Sequence, residues 1–165
     1  MTLRIGNGFD VHRFSDDPDR RLVLGGVHFP GERALEGNSD ADVIAHAVAD
    51  ALLGPAGLGD IGQLFPDTDA RWRGADSIQL LAEVVRRVGD AGWSAVNVDC
   101  SVIAERPKLA PRKEEMQELL TRTVGAPVTI AGRRAEGIGG LGRAEGIACF
   151  ASALIERAGS AGAES

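Results

Sequence analysis

Alternating hydrophobic and polar positions predict the β-strands of this chain, because side chains along a strand point to opposite faces with a period of two. Segments 3–9, 95–103 and 128–131 show this alternation. One face of the first segment carries Leu3, Ile5 and Phe9. One face of the second carries Val96, Val98, Cys100 and Val102. The segment 147–155 is apolar on both faces and fits a buried strand or a helix, of which we favour the strand.

Apolar residues spaced three and four apart predict three helices. The first runs from about 41 to 53, with Ser39-Asp40 as its N-cap. The second is capped by Asp76 or Ser77, and the third has Pro111 in its first turn. Residues 54–74, rich in Gly, Pro and Asp, predict a long loop with room for a short helical turn.

This order of elements, with short strands at 22–24 and 27–29, predicts an α+β fold. We expect a single sheet with helices packed on one face. Residues 1–157 would form a single domain, and the small residues of 158–165 would form a disordered tail.

Composition narrows the class of protein. The chain has 165 residues, is 44% hydrophobic and carries a net charge of −6, which favours a globular domain and argues against nucleic acid as a partner. No apolar run approaches the ~20 residues of a membrane span, and the N-terminus lacks a secretory signal. Cys100 and Cys149 match no zinc or redox spacing. We therefore expect no membrane partner and a cytoplasmic location.

The sequence Asp10-Val11-His12 follows the first strand and predicts a metal site. Residues two apart in extended chain point to the same side, so Asp10 and His12 can share one ion. His46 is the candidate third ligand, with Asp42 and Asp50 one helical turn away on either side and in reach of its imidazole. Two His and one carboxylate leave an open position, as in catalytic zinc sites. Ordinary polar side chains and a non-haem iron triad are the alternatives.

Five basic residues lie near turns and predict a phosphate site, with scattered surface charge as the alternative. They are Arg106, Lys108, Arg133, Arg134 and Arg143. The acidic loop 59–69 could bind hydroxyl groups or cations, but the side chains of such loops usually contact only solvent.

Several motifs together resemble the 2-C-methyl-D-erythritol 2,4-cyclodiphosphate synthase family. The likeness spans about residues 3–156, and the motifs that carry it are 4–12, 39–46, 50–53, 57–62, 64–69, 97–99, 106–108 and 142–146. The resemblance implies a homotrimer with active sites between subunits, in the non-mevalonate route to isoprenoids. Such an enzyme converts 4-diphosphocytidyl-2-C-methyl-D-erythritol 2-phosphate into the cyclic diphosphate and CMP.

The resemblance also implies roles for individual residues. Asp10, His12 and His46 would hold zinc, and Glu136 would contact a second divalent cation, magnesium or manganese. The sugar, the erythritol and the cytosine would be bound by three groups of residues. These are Asp60 and Gly62; the loop with Phe65, Asp67 and Asp69; and Ala104, Arg106, Pro107, Lys108, Leu109 and Ala110. Substrate would also be bound by Asp10, His12, Asn38, Ser39, Arg133, Arg134 and Arg143, with Arg133 and Arg134 facing the diphosphate.

The chain departs from the family pattern where catalysis would be affected. Asn38 replaces the usual His, and Arg133-Arg134 stand in the usual Thr run. Asn38 and Arg134 thus occupy the positions of transition-state stabilisers. Gly137 and Gly140 replace a common Lys and Phe. Three hypotheses remain: a retuned active site, a different diphosphate substrate, or an inactive relative that binds a cytidine nucleotide or an isoprenoid diphosphate.

Overall fold

Four strands form one mixed sheet in the computed structural model, which describes residues 1–157. The strands are β1 (Leu3–Arg13), β4 (Trp93–Ile103), β5 (Val128–Arg133) and β6 (Gly146–Arg157). Their order is β1-β6-β4-β5, with β6 antiparallel to both neighbours and β4 parallel to β5. Strands β1, β4 and β5 therefore end at the same end of the sheet. The tail predicted at 158–165 lies outside the described residues.

Three long helices pack on one face of this sheet, so the predicted α+β architecture is confirmed. The α-helices of residues 1–157 are α1 (Val43–Ala56), α2 (Ile61–Leu64), α3 (Ser77–Asp90), α4 (Lys113–Val124) and α5 (Gly139–Gly142). Helix α1 packs on β1 and β6, α3 on β4, and α4 on β5. A hairpin of β2 (Val23–Leu24) and β3 (Val27–His28) precedes α1. Within residues 1–157, no helix is both long and apolar enough to cross a bilayer.

Two glycines of β1 allow α1 to lie directly on the strand. A Cβ on Gly8 would lie 1.8 Å from the carbonyl oxygen of Ala47, and one on Gly6 would lie 2.0 Å from that of Ala51. Both distances are far below van der Waals contact. The absence of side chains at these two positions therefore brings α1 close enough to carry His46 to β1.

Helix α1 differs from its predicted bounds at both ends. Its N-cap is Asp42, whose buried carboxylate accepts hydrogen bonds from two backbone N–H groups of the first turn, so Ser39-Asp40 lie in the preceding turn. At the other end the helix includes Pro55 and stops at Gly57, which has the left-handed φ of 79°.

The outer face of the sheet carries apolar side chains that the helices do not cover. Leu3, Ile5 and Phe9 share a face as predicted, but that face is exposed, and Ile5 is 75% accessible. The prediction for Val96 was wrong, because the pairing register shifts between Ala95 and Asn97 and leaves Val96 exposed. Such a bulge inserts one residue and reverses the faces on either side of it.

Candidate active site

Asp10, His12 and His46 converge as the sequence predicted. Asp10 and His12 lie on the helix-facing side of β1, and His46 comes from α1. The Oδ2 atom of Asp10 is 2.9 Å from Nε2 of His12 and 3.0 Å from Nδ1 of His46. One ligand atom from each residue lies within 4.8 Å of the others, and the described residues contain no other such group. Three donors therefore face one point.

Hydrogen bonds on the far side of the rings orient the imidazoles. Nδ1 of His12 lies 2.7 Å from the backbone carbonyl of Glu36, which can only accept, so Nδ1 carries a proton and Nε2 is the nitrogen that faces the site. Nε2 of His46 lies 2.8 Å from Oγ of Ser77 and 3.2 Å from Oγ of Ser39. Metal-bound histidines are usually held in this way.

The charges of the site favour a cation between the three groups. Burial alone would raise the pKa of Asp10, but hydrogen bonds and the charges of His12 and His46 outweigh it and lower the pKa to about 2. Burial would likewise lower the pKa of His12, but Asp10 and the Glu36 carbonyl raise it. The triad therefore binds a proton tightly, and a divalent metal can take the place of that proton.

The predicted contact of His46 with its helical neighbours was wrong. Asp42 is occupied as the N-cap of α1 and also accepts hydrogen bonds from the backbone N–H groups of Gly25 and Gly26. Asp50 accepts from the backbone N–H of Ile61 at 2.7 Å. Both carboxylates therefore serve backbone donors, and residues from other elements hold the His46 ring.

A cavity of about 490 Å³ surrounds the triad. Besides Asp10 and His12, five residues from the predicted substrate set line it: Asn38, Ser39, Gly62, Phe65 and Asp67. Asp60 instead caps α2, and Asp69 is ion-paired with Arg71. Sequence reasoning missed Trp72, whose ring packs edge-on against Phe65 with centroids 4.9 Å apart. An apolar residue within a polar loop was the available signal.

A second cavity, of about 400 Å³, lies at the ends of β4 and β5. Its lining includes Ala104, Pro107, Lys108, Leu109, Ala110, Arg133 and Arg134. Arg106 lines an adjoining cavity of about 510 Å³. The side-chain contacts of Glu105 were not predicted: it accepts hydrogen bonds from Arg134 Nη2 at 3.0 Å and from the backbone N–H of Ala135 at 2.9 Å.

The two cavities occupy opposite edges of the sheet at the same end. Strands β6 and β4 separate β1 from β5, which corresponds to about 14 Å at the usual strand spacing. Asn38 and Arg134 therefore line different cavities of one chain. Glu136 and Arg143 are exposed, the latter beside Glu145 at 2.7 Å.

Comparisons with known proteins point to one family. The YgbB family model matches residues 3–156. A 2-C-methyl-D-erythritol 2,4-cyclodiphosphate synthase of Rubrobacter xylanophilus is 55% identical over 94% of this chain and 96% of its own length. The bifunctional IspDF of Campylobacter jejuni superposes with a TM-score of 0.89 at 38% identity, over 94% of this chain and 42% of that longer protein.

A solved cyclodiphosphate synthase with CDP bound superposes with a TM-score of 0.83 at 35% identity, over 93% of this chain and 100% of its own. The similarity therefore covers both cavities.

Proposed function

The chain belongs to the YgbB family of 2-C-methyl-D-erythritol 2,4-cyclodiphosphate synthases, and we propose how its two cavities perform the family's reaction. It is an enzyme that converts 4-diphosphocytidyl-2-C-methyl-D-erythritol 2-phosphate into the cyclic diphosphate with release of CMP. The observation that carries this conclusion is the convergence of Asp10, His12 and His46 in an open cavity.

The reaction needs no nucleophile from the protein. An oxygen of the substrate's 2-phosphate attacks the phosphorus nearer the erythritol and forms a new P–O bond. The bond from that phosphorus to the oxygen that bridges the two phosphorus atoms breaks, and CMP leaves with the bridging oxygen. The second pKa of a phosphate is about 6, so the attacking group is already largely ionised at neutral pH. The protein has to fold the substrate and neutralise charge on the transferred group.

Asp10, His12 and His46 are the residues that would hold the catalytic metal, which we propose is zinc. A bound divalent cation would supply charge neutralisation to the phosphoryl oxygens. Asn38 and Ser39 line the same cavity and can donate hydrogen bonds to phosphate oxygens. Asp60, Gly62, Phe65, Asp67 and Asp69 would bind the sugar and erythritol parts.

The second cavity is the proposed cytidine site. Residues 104, 105 and 107–110 line it and would bind cytosine largely through their backbone groups, and Arg133 and Arg134 would add positive charge for the diphosphate. Glu136 would contact a second cation, magnesium or manganese. Its side chain is exposed, and in the described residues it is not part of the triad that could hold the first metal. The related structure with CDP supports nucleotide binding here.

We further propose a homotrimer with active sites between subunits. The cavities of one chain lie at opposite edges of the sheet, so a neighbouring copy can bring its β5 edge to the β1 edge of the first. Two features support this arrangement: the separation of the cavities and the exposed apolar outer face, where the rings of Phe9 and Phe150 lie 4.7 Å apart. Light scattering should give three times the 17.3 kDa chain mass, and a monomer at micromolar concentration would overturn the assembly.

A cytoplasmic location is also proposed, and the free, buried thiols of Cys100 and Cys149 support it. We propose that neither nucleic acid nor a membrane is a partner, which the net charge of −6 supports for nucleic acid.

Turnover tests the catalytic proposal directly. The purified protein is incubated with the family substrate, zinc and magnesium, and CMP and the cyclic diphosphate are followed by chromatography and phosphorus NMR. Equal amounts of both products are expected. No CMP above a metal-stripped control would overturn the assignment, and tight CMP binding without turnover would then identify the nucleotide-binding alternative.

A further inference from the structure

His46 is held by a chain of hydrogen bonds that ends at a carboxylate. Its Nε2 atom lies 2.8 Å from Oγ of Ser77, and the Ser77 hydroxyl donates to Oδ1 of Asp40. Asp40 is fixed in turn by the backbone N–H of Ser77, 3.0 Å from Oδ2, and by that of Asp42, 3.1 Å from Oδ1. Ser77 is only 1% exposed, so water does not compete for these bonds.

The direction of the chain follows from the protons available. A serine hydroxyl has one proton, and an ionised carboxylate can only accept. The proton of Ser77 is therefore directed to Asp40, and the Ser77 oxygen presents lone pairs to His46. The favoured partner is Nε2–H, which makes Nδ1, 3.0 Å from Oδ2 of Asp10, the nitrogen available to a metal. Without a metal the Asp10 carboxylate can only accept, so it favours a proton on Nδ1 and opposes the selection made by Ser77.

We propose that Ser77 and Asp40 are positioning residues that select the His46 tautomer able to bind a metal through Nδ1. This inference rests on the metal site proposed above. His12 obtains the same selection from the Glu36 backbone carbonyl, which no substitution removes. His46 depends on a side chain from α3, so its orientation can be changed by mutation.

Ser39 provides a comparison within the same site. Its hydroxyl lies 3.2 Å from Nε2 of His46, further than that of Ser77. The hydrogen bonds of the Ser39 hydroxyl in the described chain are to His46, Ser77 and the backbone N–H of Ala41, and none reaches a carboxylate. The proton of the Ser39 hydroxyl is therefore not directed to one acceptor, so Ser39 does not decide which nitrogen of His46 carries a proton.

Zinc affinity of the metal-stripped protein is the first test, measured by competition with a chromophoric chelator. Ser77→Ala should weaken binding by about 10- to 100-fold, as loss of an outer partner of a metal ligand usually does. Ser77→Thr, which keeps the hydroxyl, should restore it. Ser39→Ala should have a smaller effect than Ser77→Ala. Thr123→Ala, which removes a hydroxyl bonded to the Leu119 carbonyl in α4, should bind zinc as the wild type does.

Nitrogen-15 NMR of the imidazoles provides a readout that a purely structural role would not change. The chain has only 3 histidines, so assignment is simple. In the metal-stripped wild type Nε2 of His46 should carry a proton, and Ser77→Ala should lose it and leave a proton on Nδ1, from which Asp10 accepts, while His12 keeps its Nδ1 proton.

The outcomes separate the two proposals. A wild type that binds no zinc would refute the metal site and this inference with it. A wild type that binds zinc, with Ser77→Ala equal to it in affinity and in the His46 tautomer, would refute the positioning role alone. If Ser77→Thr does not fold, the tautomer in Ser77→Ala decides.

Discussion

The two cavities of this chain are built in opposite ways. The triad cavity stands on β1 and α1, which Gly6 and Gly8 hold in direct contact, and its imidazoles are fixed by hydrogen bonds on their far sides. The second cavity is lined by loop and strand-end residues. There the Arg134 side chain is 71% exposed, although it pairs with Glu105.

This difference matches the role that we propose for each cavity. Metal ligands need fixed distances, which rigid packed elements supply. In the proposed nucleotide site, a diphosphate would be held by backbone groups and exposed cations that can adjust to it. Substitutions beside the triad should therefore destabilise the fold. Substitutions beside Arg134 should impair function and leave the stability of the fold unchanged.

The largest effect is expected from Gly8→Ala. The new Cβ would lie 1.8 Å from the Ala47 carbonyl oxygen, and neither backbone can move without separating α1 from β1. We expect a loss of about 3 kcal/mol or more in the free energy of unfolding, measured by urea denaturation. Gly54→Ala is the matched control. It lies inside α1 with open space around it, so it should stabilise the protein by about 0.5–1 kcal/mol.

His46→Ala should abolish metal binding and turnover while the fold remains. The triad sits on a preformed scaffold, unlike the ligands of a zinc finger, so losing one ligand should not unfold the chain. Metal analysis and urea denaturation check the two parts. His28→Ala, a histidine of β3 outside the triad, is the control and should keep its metal. One zinc per subunit retained in His46→Ala would contradict the ligand assignment.

Arg134→Thr should reduce kcat/KM by about 30- to 1000-fold if its guanidinium contacts the transferred phosphoryl group, which is the cost of losing one charged donor. Stability should barely change, because exposed ion pairs contribute little. Asn38→His combined with Arg134→Thr should recover part of the loss, since in the proposed trimer both would serve one diphosphate. Additive and near-neutral effects would show that Arg134 only pairs with Glu105.

The smallest effect is a pH dependence of stability in the triad. The lowered pKa of Asp10 contributes stability above its unfolded value of 3.8, and this contribution is lost as the pH falls towards 2. The raised pKa of His12 contributes stability below 6.5, and this is lost as the pH rises through the folded value. In the metal-stripped protein the triad should therefore stabilise the fold most between pH 3.8 and 6.5.

Bound metal should reverse the loss of stability that occurs as the pH rises, because a bound cation displaces the proton of His12. The difference in Tm between zinc-loaded and stripped protein should grow from about pH 6 to about pH 8. Scanning calorimetry at several pH values measures it. A difference that is constant or shrinks would contradict the role of His12, and Thr123→Ala should behave as the wild type does.

The patterns predicted most reliably were those that depend on neighbouring positions. The spacing of Asp10 and His12 placed both on one side of β1, and the helical pattern around His46 predicted α1. The bulge at Val96 could not be predicted, because an inserted residue depends on the pairing of β4 with β6. The partners of Asp42 and Asp50 were also missed, because they are backbone groups of distant segments.

By itself the sequence determined which side chains are the candidates for the chemistry: a carboxylate and two imidazoles with the correct local spacing, and basic residues near turns. The tertiary structure alone decided how they are held and where they meet. Glycine on β1 sets the distance to α1, Ser77 arrives from α3, and the sheet order places the two cavities at opposite edges. Periodicity reports which face a residue occupies, whereas contacts between residues far apart in sequence depend on packing of the whole chain.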